Sequence, residues 1–555
     1  MPNSELEYRV GFIGCPPCPE VAWSKENFQR LKELGFNTVQ LNIAWGYRPG
    51  GEPLNLEDVI DVPGPLCGKA KMQGDQSPER RSQRRVDLHN RARLAAEFGF
   101  RTIFHFGTPY VGDVNIGDAP PNCLMDDLTP DRCVYLLREF AKEFPEVDDI
   151  LIYNYDQHAW LCNEFGPCPR CIGVPLVERV VPFLEDMKSI WRETHPNGRL
   201  WWEPWELSAG QVQQCVCSIN SEGFGLALHC NIAEVMTAIP VDRWVRNTAF
   251  LAGERGIPVI VEYFLGGPSE EVEPYLHLAH PLSTFRGLKQ IAQVPHVLGI
   301  KEYFGLIPDK EDPNLRMTGL FFNEPNISEE DALEKLAQPY GDAAEAMKRF
   351  WRLTSESMEL FPWDTSWLIR EIGKSDPAHS MSAAFIRGVP WHTPSWMSTR
   401  RAIFMKVDMD EEPDPWMLED VQLRCELAAE RMEKALAIGQ HVQTTVPRVF
   451  SSEFKQNLLD LEGMWRRTRA YAYHIRESNL ALVMRLRREQ GLPIPDVIRA
   501  EMRSVLEADQ ANQGQDGEIA SAIELLNTDL DQFLDQYFTV VPDAVSKGHF
   551  TLTSR

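Results

Sequence analysis

Over the first three hundred or so residues, short apolar runs rich in β-branched and aromatic side chains alternate with segments of helical periodicity, and no other feature restricts the fold as much. The unit begins with YRVGFI at 8–13, a helical stretch WSKENFQRLKEL at 23–34 with Gly35 as its stop, and NTVQLNIAW at 37–45. Two strands joined through a helix pair in parallel. The alternation continues with strands at 101–106, 150–155, 200–207, 224–229, 258–264 and 296–304, with helices predicted between them. Eight strands alternating with helices within one stretch of this length point to a (β/α)8 TIM barrel. The strings ELGFNT, EFGFRT and ERGIPV each join a helix end, a glycine and a strand start. Shared geometry explains that echo without any duplication.

Past Pro308 the strand signals stop. Residues 327–373 read as two helices, with Ser328 as N-cap and acidic residues 329–331 in the first turn. Longer helical patterns follow at 416–439, 454–491 and 521–538, and ADQANQGQDGE at 508–518 reads as an exposed polar loop. The expected organisation is a barrel over 1–325 and an all-α helical domain over 326–555, with a Pro/Trp-rich connector at 375–415. Trp391, His392 and Trp396 in that connector either reach over the barrel mouth or pack between domains.

A formal charge of −25 gives nucleic acid or an anionic membrane surface no electrostatic reason to bind. The N-terminus has neither a basic leader nor an apolar core, so the expected location is the cytoplasm. Twelve cysteines do not make a secreted disulfide framework at this length. Two pairs have metal-like spacing, Cys15-Pro-Pro-Cys18 and Cys168-Pro-Arg-Cys171, the latter with Cys162 six residues ahead. A structural zinc at Cys162, Cys168 and Cys171 is the alternative to loops shaped by Cys and Pro, which is the preferred reading. No cofactor is expected.

Functional groups of such barrels gather at the C-terminal strand ends. Those positions hold Asn42, Trp45 and Arg48 after the second strand, His105 after the third, and Asp156 and His158 after the fourth. Glu203 and Glu206 follow the fifth, His229 and Asn231 the sixth, Glu262 lies in the seventh, and Lys301 and Glu302 in the eighth. A carboxylate inside a run such as VIVEYF is costly unless paired, metal-bound or used. A salt bridge from Glu203 or Glu262 to Arg48 or Lys301 is the structural explanation. Trp45, Trp160, Trp201, Trp202 and Trp205 flank the same rim. Flat rings stack on sugar C–H faces while acids bind hydroxyls, so a carbohydrate suits the mixture, with aromatic core packing accounting for many of the rings.

The barrel followed by helices, the CPRC loop at 168–171 and YGDAAEAMKRFWRLTSESMELFP at 340–362 resemble glycoside hydrolases of the α-glucuronidase and β-N-acetylhexosaminidase groups. The adjacent Asp-Glu pair of the hexosaminidases is replaced by Asp156-Gln157-His158. An Asp-x-His at that point is similar to what inverting barrel-type exo-sialidases use, whose acidic residue after the first strand has no counterpart beside Cys15. What the resemblance implies is an exo-acting hydrolase of a terminal sugar. Asn323-Glu324-Pro325 imitates a barrel acid/base motif, but lies past the last strand and reads as a turn.

Glycoside cleavage needs an acid at the leaving oxygen and a base or nucleophile across the ring, about 5–5.5 Å apart for retention and about 6.5–9.5 Å for inversion. Asp156 with Glu262 is the first pairing, Glu203 the rival acid, and His158 a base or orienting group. Trp45, Arg48, His105, Trp160, Trp202, Glu206, His229, Lys301 and Glu302 are the candidate substrate contacts. A metal-dependent isomerase or epimerase, with Glu203, His229, Glu262 and Glu302 as ligands, is the second reading, and a non-catalytic sugar-binding protein the third. A homodimer through Trp465, Tyr471 and Tyr473 competes with packing of that helix on the barrel, and the latter is preferred.

Overall fold

Eight parallel strands close on themselves: β1 (Tyr8–Gly11), β2 (Thr38–Gln40), β3 (Arg101–Phe106), β4 (Asp149–Tyr153), β5 (Leu200–Glu203), β6 (Phe224–His229), β7 (Val259–Tyr263) and β8 (Val297–Glu302). Closure is made by β8 against β1, with Tyr8 opposite Gly299 and Val10 opposite Lys301. The computed structural model describes residues 6–15, 18, 20–43, 52, 55–67, 75–107, 123–126, 128–154, 164, 168–204, 207, 209–229, 243–267, 275–361, 415–514 and 517–536. The chain is a (β/α)8 barrel followed by helices, as the alternation implied.

Several strands are shorter than their apolar runs. Strand β2 ends at Gln40, one further ladder bond runs from the Leu41 amide to the Ile103 carbonyl at 2.9 Å, and then a side-chain amide takes over: Asn42 Nδ2 donates to the His105 carbonyl at 2.8 Å, and the His105 amide donates to Asn42 Oδ1 at 3.1 Å. β5 stops before Pro204, which has no N–H to continue a ladder. The three glycines of the repeated helix-stop pattern, Gly35, Gly99 and Gly256, all have positive φ (85°, 75° and 72°), a conformation costly for any residue with a Cβ.

Alternation along each strand sorts side chains between the barrel interior and the helical layer. Trp201 meets Tyr8 of the opposite strand edge-to-face at 5.1 Å, and its indole donates to Asp149 Oδ2 at 3.2 Å. Position 201 therefore faces inward, as does 203, while Trp202 faces the other way. The Trp201 ring fits because a Cβ at Gly225 would fall 2.4 Å from it.

Beyond the barrel, helix Glu329–Ala337 starts at Ser328, whose side chain accepts from the Asp331 amide at 3.1 Å, as expected. Glu324 follows helix Pro313–Asn323 on the surface and pairs with Lys335 at 2.6 Å, in keeping with a turn. Helices Ala344–Leu360, Pro415–Val442 and Arg448–Glu489 pack together, and their buried residues join those of the barrel in one continuous core. The seams are polar as well: Arg286 spans Glu329 and Glu359 at 2.6 Å each, and the His277 amide donates to Asp460 Oδ2 at 2.7 Å. Tyr471 lies inside this core, so it offers nothing to a dimer face. A second core joins the end of the long helix to Asp496–Gln513, Gly517–Thr528 and Leu530–Gln536.

The loop expected at 508–518 is corrected: residues 508–513 are helical. Asp509 is buried there, accepts from Gln513 at 2.8 Å and lies 3.6 Å from His474 Nε2, so tertiary partners hold helix where local polarity suggested none. Among the described residues, no helix is long and apolar enough to cross a membrane.

His280, at the start of helix Pro281–Ala292, is buried, and burial pushes its imidazole down to about 4. The unfolded chain takes up this proton near the ordinary value of 6.5, whereas the folded one resists it. The contribution is fully present above pH 6.5, falls with pH, and is gone below about 4, amounting to about 3 kcal/mol. Denaturant midpoints measured across that range will fall less steeply for His280→Gln than for the wild type.

Candidate active site

Five of the expected residues meet at the C-terminal mouth: His105 on β3, Glu203 on β5, His229 on β6, and Glu262 and Lys301 on the neighbouring β7 and β8. All except His229 are buried, and that side chain is 12 % exposed, marking the direction of the opening. His229 spans two carboxylates, with Nδ1 3.0 Å from Glu262 Oε2 and Nε2 3.7 Å from Glu203 Oε1. His105 Nε2 lies 3.4 Å from Glu203 Oε2. Lys301 donates to Glu262 Oε1 and, at 3.3 Å, to the Glu302 carbonyl.

Electrostatics distinguish the acids. Burial favours the neutral form of Glu262, yet Lys301, and then His229, hold its carboxyl well below the usual carboxylate range. Burial would strip Lys301 of its proton, but Glu262 and then Glu203 keep its pKa above that of an ordinary lysine. The pair is ionised as a unit. His105 is held far below its ordinary value by burial and then by Lys301, so it is a neutral imidazole beside Glu203.

Two expected contacts are corrected. Trp202 is fully buried on the outer side of β5 and donates its indole N–H to Asn154 Oδ1 at 2.9 Å, leaving no face for a sugar. Glu302 follows Lys301 by one position, so the strand turns it away from the interior. Its carboxylate accepts amide N–H groups from Leu265 (2.8 Å), Phe304 (2.8 Å) and Gly305 (3.1 Å), buckling the end of β8 to the loop after β7. Asp156, His158, Trp45, Arg48, Trp160, Glu206, Asn231, Trp205 and Cys162 lie outside the described residues, as do Trp391, His392 and Trp396.

The structure adds neighbours that sequence reading passed over. Tyr153 packs 5.4 Å from the His105 ring, Tyr303 sets its edge 6.2 Å from His229, and Lys301 Nζ lies 5.9 Å from the Phe12 ring centre. Tyr153 was legible, since it ends an apolar run two residues beyond inward-facing Leu151. Glu203, His229 and Glu262 each offer a ligand atom within 4.8 Å of the others, so a cation is chemically conceivable there. Lys301 already places positive charge on one of those carboxylates.

Fold and site together define the class: a closed (β/α)8 barrel with a helical C-terminal region and an acid, histidine and lysine cluster at its mouth. Among solved structures with this architecture is a GH138 enzyme targeting pectin rhamnogalacturonan II, which matches with a TM-score of 0.60 at 12 % identity, over 95 % of this chain and 62 % of its own. The chain thus spans under two thirds of that protein's length, and identity this low shows a shared fold. Bacteroides uniformis beta-glucuronidase 2 (TM-score 0.30, 13 % identity, 54 % of this chain and 30 % of that one) and Pseudomonas stutzeri endoglucanase Cel5A (0.34, 14 %, 55 % and 87 %) also overlap, too loosely to bear on function. No family model and no curated protein matches the sequence.

Proposed function

We propose that this chain is a glycoside hydrolase that removes a terminal sugar with retention of configuration, using Glu262 as nucleophile and Glu203 as acid and then base. The observation that carries the reading is the pair of strand-end carboxylates with oxygens within 4.8 Å of each other, one of them neutralised by a buried ammonium. One oxygen of each acid lying that close is compatible with retention, for which the carboxyl groups stand about 5–5.5 Å apart. Two close carboxyls do not both ionise readily, and Lys301 bonds directly to Glu262, so the nucleophile role falls to Glu262 and the proton-donor role to Glu203.

In the first step a Glu262 oxygen attacks the anomeric carbon, the glycosidic C–O bond breaks, and Glu203 passes its proton to the departing oxygen. In the second step Glu203 takes a proton from water, the water oxygen replaces Glu262 at the anomeric carbon, and the enzyme is restored. His229 touches both carboxylates and orients them, and neutral His105 steadies Glu203. The terminal-sugar part of the reading comes from the resemblance to exo-acting hydrolases.

The test is a panel of aryl glycosides, including glucuronide, N-acetylhexosaminide and sialoside, extended to pectic oligosaccharides because the GH138 enzyme targets such material. NMR of the first-formed sugar will show the anomer of the substrate. Appearance of the opposite anomer removes Glu262 from the nucleophile role.

The three-ligand geometry of Glu203, His229 and Glu262 favours one other reading, a metal-dependent sugar isomerase. Glu302 has left the set of four ligands that the sequence suggested, and Lys301 competes for Glu262. Turnover that survives exhaustive chelation excludes the isomerase.

A further inference from the structure

Cys123, Cys168 and Cys171 converge, although 45 and 48 residues separate the first from the other two. Cys123 precedes helix Leu128–Glu143, the crossover after β3, and the other two lie in the turn before helix Leu176–Thr194, the crossover after β4. All three are buried and form a cluster of their own, apart from both hydrophobic cores. Cys123 Sγ is 3.9 Å from Cys168 Sγ and 3.1 Å from Cys171 Sγ, and all three sulfurs lie within 4.8 Å of one another. Sulfurs on a tetrahedral zinc, with Zn–S near 2.3 Å, stand about 3.8 Å apart, so a small contraction or expansion around an ion accommodates the trio.

We propose that Cys123, Cys168 and Cys171 are thiolate ligands of one structural zinc ion, which staples the loops after β3 and β4 together beside the barrel mouth. The turn has the form such ligands require: Cys171 N–H donates to the Cys168 carbonyl at 3.2 Å and Ile172 N–H to the same oxygen at 3.0 Å, which folds the Cys-Pro-Arg-Cys segment so that both sulfurs face one point. Positive charge is at hand for a sulfur-rich anionic centre. Arg170 reaches the Cys168 sulfur as well as Asp126, and Arg179 lies near Cys171. The Cys15 and Cys18 pair takes no part; their backbones bond each other in a tight turn at 3.0 Å and 3.4 Å. This inference is independent of the catalytic proposal.

Three isolated buried thiols, or a disulfide between Cys123 and Cys171, are the rival states, and each gives a different result. The full chain, expressed with added zinc and purified under reducing conditions, is expected to keep one zinc per molecule through dialysis. Cys123→Ser, Cys168→Ser and Cys171→Ser each lose it, whereas Cys215→Ser, a buried thiol elsewhere, does not. Cobalt reconstitution gives a second readout that does not depend on a variant folding: a sulfur-to-cobalt charge-transfer band with intense tetrahedral visible bands. That signature also separates this centre from any cation held by Glu203, His229 and Glu262. A metal-free protein, cobalt spectra without sulfur bands, or a Cys123–Cys171 disulfide in mass spectra would each overturn the assignment.

Discussion

Glu203→Gln will lower turnover on substrates with poor leaving groups by a factor of about 10²–10⁴, the range over which a positioned acid acts. On aryl glycosides whose phenolate departs unaided, the same variant will lose much less in the bond-breaking step. Glu262→Gln will lose both substrates together, because an amide oxygen cannot hold the anomeric carbon as a carboxylate does. The two substitutions are close to isosteric, and a split that depends on the leaving group is a pattern that a merely structural role does not produce. Equal losses for Glu203→Gln on both substrate types would sink its assignment as the acid.

Lys301→Met will destabilise the fold by about 3–5 kcal/mol, the cost of leaving a buried charge uncompensated. Glu262 is fully buried and Lys301 nearly so, which leaves water little access to the abandoned carboxylate. Glu262→Gln imposes a similar cost through the stranded ammonium. Combining Lys301→Met with Glu262→Gln removes both charges and will recover most of the loss, so the double variant is more stable than either single one. Chemical denaturation of the four proteins measures this directly. Additive losses in the double variant would mean that the two residues do not form one ionised unit.

Strand parity, a rule local to the sequence, limits which strand-end residues can share the mouth. Trp202 and Glu203 are neighbours on one strand, as are Lys301 and Glu302, and each pair divides between inside and outside. Both members of each pair stand at a strand end, and only Glu203 and Lys301 face the interior. The helix at 508–513 is a different kind of miss. Its residues are polar, and helix there depends on Asp509 finding Gln513 and His474 in a buried setting. Nothing local signals a partner 35 positions away. Cys123 was passed over for the same reason, since its distance from Cys168 is far outside the spacing of any short motif.

The alternation of strands and helices through the barrel, its glycine stops, the Ser328 cap and the placing of Glu203, His229 and Glu262 at strand ends follow from the sequence alone. Periodicity, caps and turn residues act over a few positions, so their consequences are written locally. Closure of the barrel decided the remainder: that Lys301 neutralises Glu262, that His229 bridges two acids, and that three distant sulfurs meet. Those pairings depend on register across strands and on how crossovers lie against one another, quantities that arise from packing the whole chain and belong to no single stretch of it.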